Sequence, residues 1–404
     1  MCSDETKTES RLGHGSWLFG GYTILAKSMM GSGLLGVAAA CAETGWILGS
    51  IFAVAIPLLT FLSLHLLAIV AIEDGIKSDG PQTFFKVCTS VLGPIGAWTV
   101  EIFLILKTFG ASIVYLQVAG SMLANLLYSN DMSVSKALLC RLIQIGIATV
   151  FSPFCFLERI NNTRYINAVG ICCLFYICIT ACIFFDPTTG MASTSAYPRS
   201  VQGVLSKIPI FLFAYSCHQN LFSCIWETRD ATVKRMDIIM ALSCLTGFFV
   251  YVPVQMMPYA TYGNQVQDNF LKNLPDDSIV ANIACVCAAV SVCISFPLQI
   301  IPLRNSVCSL AWPNQKPTRL IRILVATVAI LLALGVALAV SSLGAVMSIT
   351  GLIGGNTICF FGPSLLYVVK FKHARDCLWF FALTLCGFSL VLYPLCLVGI
   401  ILTA

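Results

Sequence analysis

The sequence predicts an all-α polytopic membrane protein, and three observations carry that expectation. Of 404 residues, 58% are hydrophobic and only 10% charged, with a mean hydropathy of +0.89. Soluble domains carry about 25% charged residues, so this chain lacks the charge to cover a water-facing surface. Apolar runs of roughly 20 residues, the length a helix needs to cross hydrocarbon, recur along the chain. Lys and Arg concentrate in alternate loops between those runs, the bias that sets membrane topology.

The clearest spans are 51–72, 137–157, 165–185, 238–262, 279–303, 323–340 and 377–402. Less uniform ones are 17–43, 94–128, 203–226 and 343–369, which makes eleven. Spans 94–128 and 343–369 exceed one straight crossing, so tilt or extension past the bilayer is expected. Residues 1–16 are polar and hold no short apolar stretch with a cleavage site. They read as a cytoplasmic tail without a cleaved signal peptide, and 17–404 as a single transmembrane domain.

Orientation follows from the basic residues. With the N-terminus inside, the inner segments hold Lys7, Arg11, Lys77, Lys86, Arg159, Arg164, Arg229, Lys234, Arg235, Arg304, Lys316, Arg319, Arg322, Lys370, Lys372 and Arg375. Those sixteen face five on the outer side: Lys136, Arg141, Arg199, Lys207 and Lys272. Lys27 and Lys107 lie within spans. The split predicts a cytoplasmic N-terminus and a C-terminus on the opposite side. The glycosylation sequon Asn161-Asn162-Thr163 then falls on the inner side, unused.

Several functions find no support. The basic residues form no long run, which argues against nucleic-acid binding. The 20 cysteines lie mostly inside apolar runs, where a free thiol behaves as a small hydrophobe. No CxxC pair faces a second pair or a His pair, so neither a zinc site nor any other metal or cofactor is expected. The three longest outer loops (about 129–136, 186–200 and 263–277) contain no cysteine, so no structural disulfide is expected there. No nucleophile–base set or phosphate loop points to an enzyme.

Two spans differ from the rest. The first carries Gly31-Ser32-Gly33 in its middle, where glycines cost about 1 kcal/mol each relative to Ala in a helix. An opened helix there would expose backbone N–H and C=O groups, tolerated at membrane depth only beside a cavity. A tight packing face of small residues is the equal alternative. The sixth span holds Tyr215-Ser216-Cys217-His218-Gln219-Asn220 at mid-depth, a polar cluster too costly to face lipid. A shift of 184 residues places Gly31-Ser32-Gly33 on Tyr215-Ser216-Cys217 and Glu43-Thr44 on Glu227-Thr228. The spans then divide into two blocks of five, about 17–185 and 201–369, with an extra helix at about 376–402. Inverted repeats with two broken helices meeting at the midplane are an architecture of secondary transporters.

These segments resemble the amino acid/auxin permease family, a branch of the APC superfamily. KSMMGSGLLGVAAACAETGWILG resembles its first helix, and LGPIGAW with LKTFGASIVYLQVAG its third. FAYSCHQNLFSCIWE resembles the sixth, YATYGNQVQDNFLKNLPDD the seventh and the loop after it, and SFPLQIIPLRNSV the eighth. The run from Gly351 to Pro363 resembles the tenth, so the likeness covers nearly the whole chain in order. CHQN and LKTFG lean toward the vacuolar and lysosomal branch. The resemblance implies a LeuT-type fold of five plus five helices with an eleventh added. It also implies secondary transport of amino acids by a monomer in a plasma, vacuolar or lysosomal membrane.

A zwitterionic substrate needs donors for its carboxylate and acceptors for its ammonium. The N–H groups around Ser32, Gly33 and Leu34, backed by the positive end of the following half-helix, are the expected donors. The carbonyls of Phe213, Ala214 and Tyr215 are the expected acceptors. In line with the fold's usual arrangement, Tyr115 is the expected hydroxyl for the carboxylate; an ordinary packing tyrosine is its alternative.

Lys27 sits four positions before Gly31, within the bilayer, where a lysine costs about 2.5–3.5 kcal/mol at a helix centre. The resemblance places an Asn here in sodium-coupled members and a Lys in proton-coupled ones, with Ser295 at the same cation site. An ammonium there would occupy the sodium position, so transport independent of sodium is expected. A buried lysine also lends itself to proton exchange, which leaves the proton open as a partner. The alternative is a Lys27 that snorkels to the inner surface.

His218 invites a proton-switch role, because histidine titrates near neutrality; a purely structural histidine is the other reading. Lys107, Glu101 and Gln117 are expected in the interior, with Lys107 and Glu101 six apart and so not paired. His65 reads as a satisfied interior histidine without a nameable partner.

A carrier-like sensor would need a long cytoplasmic tail, and residues 1–16 offer little. A channel would show a continuous polar stripe, whereas the polar clusters are confined to mid-depth. Sodium-coupled symport remains the alternative coupling.

Overall fold

The computed structural model describes residues 18–78, 83–128, 134–157, 164–313 and 317–403. The tail 1–16, the sequon at 161–163, most of the 129–136 loop, and Lys7, Arg11, Arg159 and Lys316 lie outside them. The described residues form helices joined by short turns, with no strand among them.

The helices run in the predicted order. They are α1 (Phe19–Met29), α2 (Gly33–Ser78), α3 (Phe84–Leu127), α4 (Lys136–Cys155) and α5 (Arg164–Ile183). After the single turn α6 (Pro187–Gly190) come α7 (Val201–Ala214), α8 (Leu221–Glu227) and α9 (Val233–Tyr262). The chain closes with α10 (Ile279–Ala311), α11 (Arg319–Ala339), α12 (Leu343–Thr350), α13 (Gly362–Lys370) and α14 (Cys377–Thr403). Wide π-helical turns over Gly351–Gly355 and Thr357–Phe361 join α12 to α13, which accounts for the excess length of span 343–369.

Among the described residues ten helices are long and apolar enough to cross a membrane, one fewer than the eleven spans predicted. The difference is the first span, which is broken. Its front half, α1, has 11 residues, and its back half continues into the second span as part of α2. The continuation is a bend rather than a straight rod: Gly45 adopts φ 74° and ψ 174°. There the helical ladder stops, and the freed N–H groups of Trp46 and Ile47 donate to Ser195 and Ala196 carbonyls at 3.0 and 3.1 Å. The outer loop thereby satisfies backbone groups the bend leaves open. A similar bend at Gly93 separates the first turns of α3 from its long membrane segment.

The surface matches a lipid solvent. Leu324, Val328 and Leu331 on α11 and Val391, Leu395 and Val398 on α14 are exposed, as an apolar outer belt requires. Every cysteine among the described residues is a free thiol.

Polar contacts join helix ends that the charge count puts on the same side. At the outer end the Arg199 guanidinium donates to the Glu43 carboxylate at 3.0 Å and to Asn264. At the inner end Lys370 lies 3.6 Å from Asp74 and donates to the Val70 carbonyl. Arg304 departs from its expected place in a loop. It is 1% exposed inside α10, where it donates to the Cys155 and Leu157 carbonyls at 3.0 and 2.9 Å. Those are orphan carbonyls at the end of α4, and a buried guanidinium caps them.

Helix α1 sits at the centre, packed on α5, α8 and α9, while α7 packs on α2, α12 and α14. The two broken spans are therefore enclosed by the unbroken ones.

Gly45→Ala is expected to destabilise more than Gly93→Ala in thermal unfolding of the detergent-purified protein. Both glycines have φ near 75°, which costs a Cβ-bearing residue about 1–2 kcal/mol. At Gly45 the new Cβ would also stand 2.5 Å from the Tyr197 carbonyl oxygen, whereas at Gly93 it would meet open space. Equal losses would show that the outer loop does not depend on this bend.

Candidate functional site

The first break spans Met30–Ser32 and the second Tyr215–Cys217, 185 positions on, within a residue of the shift seen in the sequence. They touch. Gly33 lies so near α7 that a Cβ on it would stand 2.6 Å from Ala214 Cα. The glycine is what lets the two backbones meet, the close approach only a residue without a side chain permits.

Each break frees carbonyls, and buried side chains answer them. Tyr251 of α9 places its hydroxyl 3.1 Å from Met29 O and 2.8 Å from Ala214 O. Its single proton is shared between the two breaks. Lys107 donates to Ser216 O at 3.3 Å, and Lys27 to Met30 O at 3.4 Å.

Lys27 does not snorkel. It is fully buried, and its ammonium also donates to Ser295 Oγ at 2.6 Å and Ser291 Oγ at 3.0 Å. The Ser295 hydroxyl donates to Ser291 O at 3.0 Å, which turns its lone pairs toward the ammonium. Gly170 of α5 makes room for the stem: a Cβ there would lie 2.4 Å from Lys27 Cε. One carbonyl and two hydroxyls around a cation, beside an unwound helix, form an oxygen cage suited to a small hard ion.

Beside this cage lies a narrow cavity about the size of one water molecule. Ser28, Gly31, Ser32 and Gly33 border it from the first break, and Phe213, Ala214 and Ser216 from the second. Helix α3 contributes Lys107, Ala111 and Tyr115, and α10 contributes Gln299.

Of the expected substrate residues, Ser32, Gly33, Tyr115, Phe213 and Ala214 line the cavity. Leu34 and Tyr215 do not. The Leu34 N–H turns back to Gly31 O at 3.3 Å, and the Tyr215 ring packs on Tyr251 with centroids 4.7 Å apart. Ala214 O already accepts from Tyr251, which leaves one lone pair for a ligand. Ser32 Oγ is buried without a partner among the described residues. Both ring nitrogens of His218 are likewise buried and unpartnered among them. His218 is not among the residues that line the cavity, and it makes no hydrogen bond to the cage.

The remaining interior groups fall as follows. Glu101 and Lys107 are both 2% exposed, and Gln117 donates to the Val340 carbonyl at 2.6 Å. His65 does have a partner, Asp237 of α9, at 2.6 Å from its Nδ1. The contact joins two distant spans, α2 and α9, so no local pattern announces it.

Sequence reasoning missed four residues that shape the site: Ser28, Gln299, Ser291 and Tyr251. Gln219 and Asn220 donate to Ser28 Oγ at 3.1 and 2.7 Å. Gln219 reaches Gln299 at 3.4 Å, and Gln299 donates to the Tyr115 hydroxyl at 3.2 Å. Gln299 stands between Pro297 and Pro302 in an apolar run, and Ser291 is one turn before Ser295; both carried a readable signal.

The family described as transmembrane amino acid transporter protein matches residues 14–402. The chain belongs to this family. It is similar to vacuolar amino acid transporter 5 of Schizosaccharomyces pombe, 27% identical over 86% of this chain and 83% of that protein. Vacuolar amino acid transporter 6 of Saccharomyces cerevisiae is 25% identical, over 85% of this chain and 88% of its own length. Sodium-coupled neutral amino acid transporter 7 of Xenopus laevis is 24% identical, over 87% and 80% respectively.

Tyr251→Phe removes the one proton shared by the two breaks; Ala214 O loses its side-chain donor, and Met29 O keeps only the Gly31 N–H at 3.0 Å. A cost of about 1–3 kcal/mol is expected, read as a lower melting temperature together with a raised KM for transport. An unchanged KM would separate the hydroxyl from the geometry of the site.

Proposed function

We propose that the protein is a secondary carrier of amino acids that works without sodium, by alternating access around the two broken spans. The observation that carries the reading is the Lys27 ammonium in its cage of Met30 O, Ser291 Oγ and Ser295 Oγ. A sodium ion at these oxygens would stand where the ammonium already stands, at a separation where two cations repel strongly in a dry interior. Sodium coupling through this place is therefore closed while Lys27 is protonated. Because a lysine can give up its proton, coupling to protons and proton-independent exchange both fit the same cage.

The substrate's α-carboxylate belongs at the first break, facing Ser32, Gly33 and the Tyr115 hydroxyl. Its ammonium belongs at the second, facing Phe213 and Ala214. The present cavity is too small for an amino acid, so helices must part to admit one, the behaviour of a carrier rather than of a pore. Two blocks of five helices, about 17–185 and 201–369, would rock against each other with the helix at about 376–402 outside the movement. Both breaks and the cavity come from one chain, so the monomer suffices. The N-terminus belongs in the cytoplasm, and the names of the two yeast relatives favour a vacuole-like membrane.

A second reading is sodium-coupled symport, favoured by the name of the Xenopus relative. Uptake of radiolabelled amino acids into liposomes, under separate sodium and proton gradients, decides between them. The wild type is expected to change by less than about twofold when sodium replaces potassium. Lys27→Asn is expected to alter the ion dependence, by creating a response to sodium or abolishing one to pH. Uptake that requires sodium and ignores pH would contradict the assignment, as would a Lys27→Asn protein with unaltered ion dependence.

A further inference from the structure

Lys107 is a second buried ammonium, with no part in the cage around Lys27. Lys107, Ala111 and Tyr115 recur at every fourth position of α3 and all three border the cavity. The eight residues from Lys107 to Tyr115 rise about 12 Å along the helix axis. This face thus carries a hydroxyl at one end, an ammonium at the other, and the small Ala111 between them.

The two buried lysines differ in how their donors are used. An ammonium has three N–H donors. Lys27 directs its own to three oxygens, whereas Lys107 makes one hydrogen bond among the described residues, to Ser216 O. None of the ion pairs among the described residues includes Lys107. Its stem is held from behind: a Cβ on Gly354 would stand 2.2 Å from Lys107 Cβ. The ammonium is thereby kept at the cavity with donors to spare.

Charge balance then selects among substrates. The first break answers an α-carboxylate and the second an α-ammonium, which leaves the Lys107 charge over. An uncompensated buried charge costs several kcal/mol. A neutral side chain leaves that charge as it is, and a cationic one adds a like charge in the same dry space. A side-chain carboxylate cancels it. The spacing also fits. Ser216 lies two residues past Ala214, a reach of at most about 7 Å, and Ala214 abuts Gly33. Lys107 therefore stands within about one amino-acid length of the first break, on the same cavity.

Resting on the carrier reading, we propose that Lys107 is a specificity-determining residue that binds the side-chain carboxylate of an acidic amino acid. Glutamate-like substrates are preferred, and lysine-like ones are rejected.

The test is uptake of labelled glutamate, alanine and lysine by the full-length protein in liposomes, at zero membrane potential. The wild type is expected to carry glutamate at least about tenfold faster than alanine at equal low concentration, with lysine slowest. Lys107→Met also takes the donor from Ser216 O, so the readout is the ratio: glutamate uptake relative to alanine is expected to fall at least about tenfold, whatever the change in alanine alone; Lys107→Arg keeps the wild-type order. Equal losses for glutamate and alanine in Lys107→Met would overturn the proposal, as would glutamate uptake untouched by that change. Should Lys107→Met fail to fold, heat stabilisation of the purified wild type decides alone. Glutamate should raise its melting temperature more than alanine or lysine, and a larger rise with alanine or lysine overturns the assignment. Alanine uptake without a glutamate preference defeats only the role of Lys107. Uptake of none of the three defeats the carrier reading, and this proposal with it.

Discussion

A backbone carbonyl opened at the middle of a membrane must find a donor, and this constraint organises the molecule. Four carbonyls freed at the two breaks, those of Met29, Met30, Ala214 and Ser216, are met by Tyr251, Lys27 and Lys107. Each donor comes from, or is steadied by, a different part of the bundle. Tyr251 belongs to α9, Lys27 is braced by α10 and given space by α5, and Lys107 rises from α3 against the wide turns after α12. The enclosing helices are thus needed to satisfy the broken ones, over and above the packing they provide.

The same constraint explains why two ammonium groups are tolerated where lysine is costly. Lys27 is hydrogen-bonded through all three donors, so its burial is compensated by oxygen atoms in place of water. Its hydrogen-bond partners are a carbonyl and two hydroxyls, all neutral. Lys107 makes one hydrogen bond among the described residues, to Ser216 O, and borders the cavity. In the proposed reading one lysine closes a cation place and the other opens an anion place. The difference lies in the number of oxygens within reach.

Much of this was legible in the sequence, and the limits have physical causes. The spans followed from apolar length, and the two breaks from Gly31-Ser32-Gly33 and the polar run Tyr215–Asn220. The pairing of Lys27 with Ser295 followed from the cost of a charge in hydrocarbon together with the family resemblance. What escaped was contact between distant helices, since periodicity reports one helix at a time. Tyr251 reads as an ordinary aromatic in α9, and only the fold brings its hydroxyl between Met29 and Ala214. His65 and Asp237 are 172 positions apart, and Arg304 looked like a loop residue because its carbonyl partners lie at the end of another helix. The bend at Gly45 hid one crossing inside a longer helix, since a single glycine was enough to turn the chain.

In the proposed mechanism the Lys27 ammonium holds the place a sodium ion would take. Equilibrium binding of radioactive sodium to the purified protein, with and without amino acid, tests it most directly. No saturable binding is expected in either condition. Saturable binding of one ion per chain with Lys27 intact, strengthened by the amino acid, would contradict it.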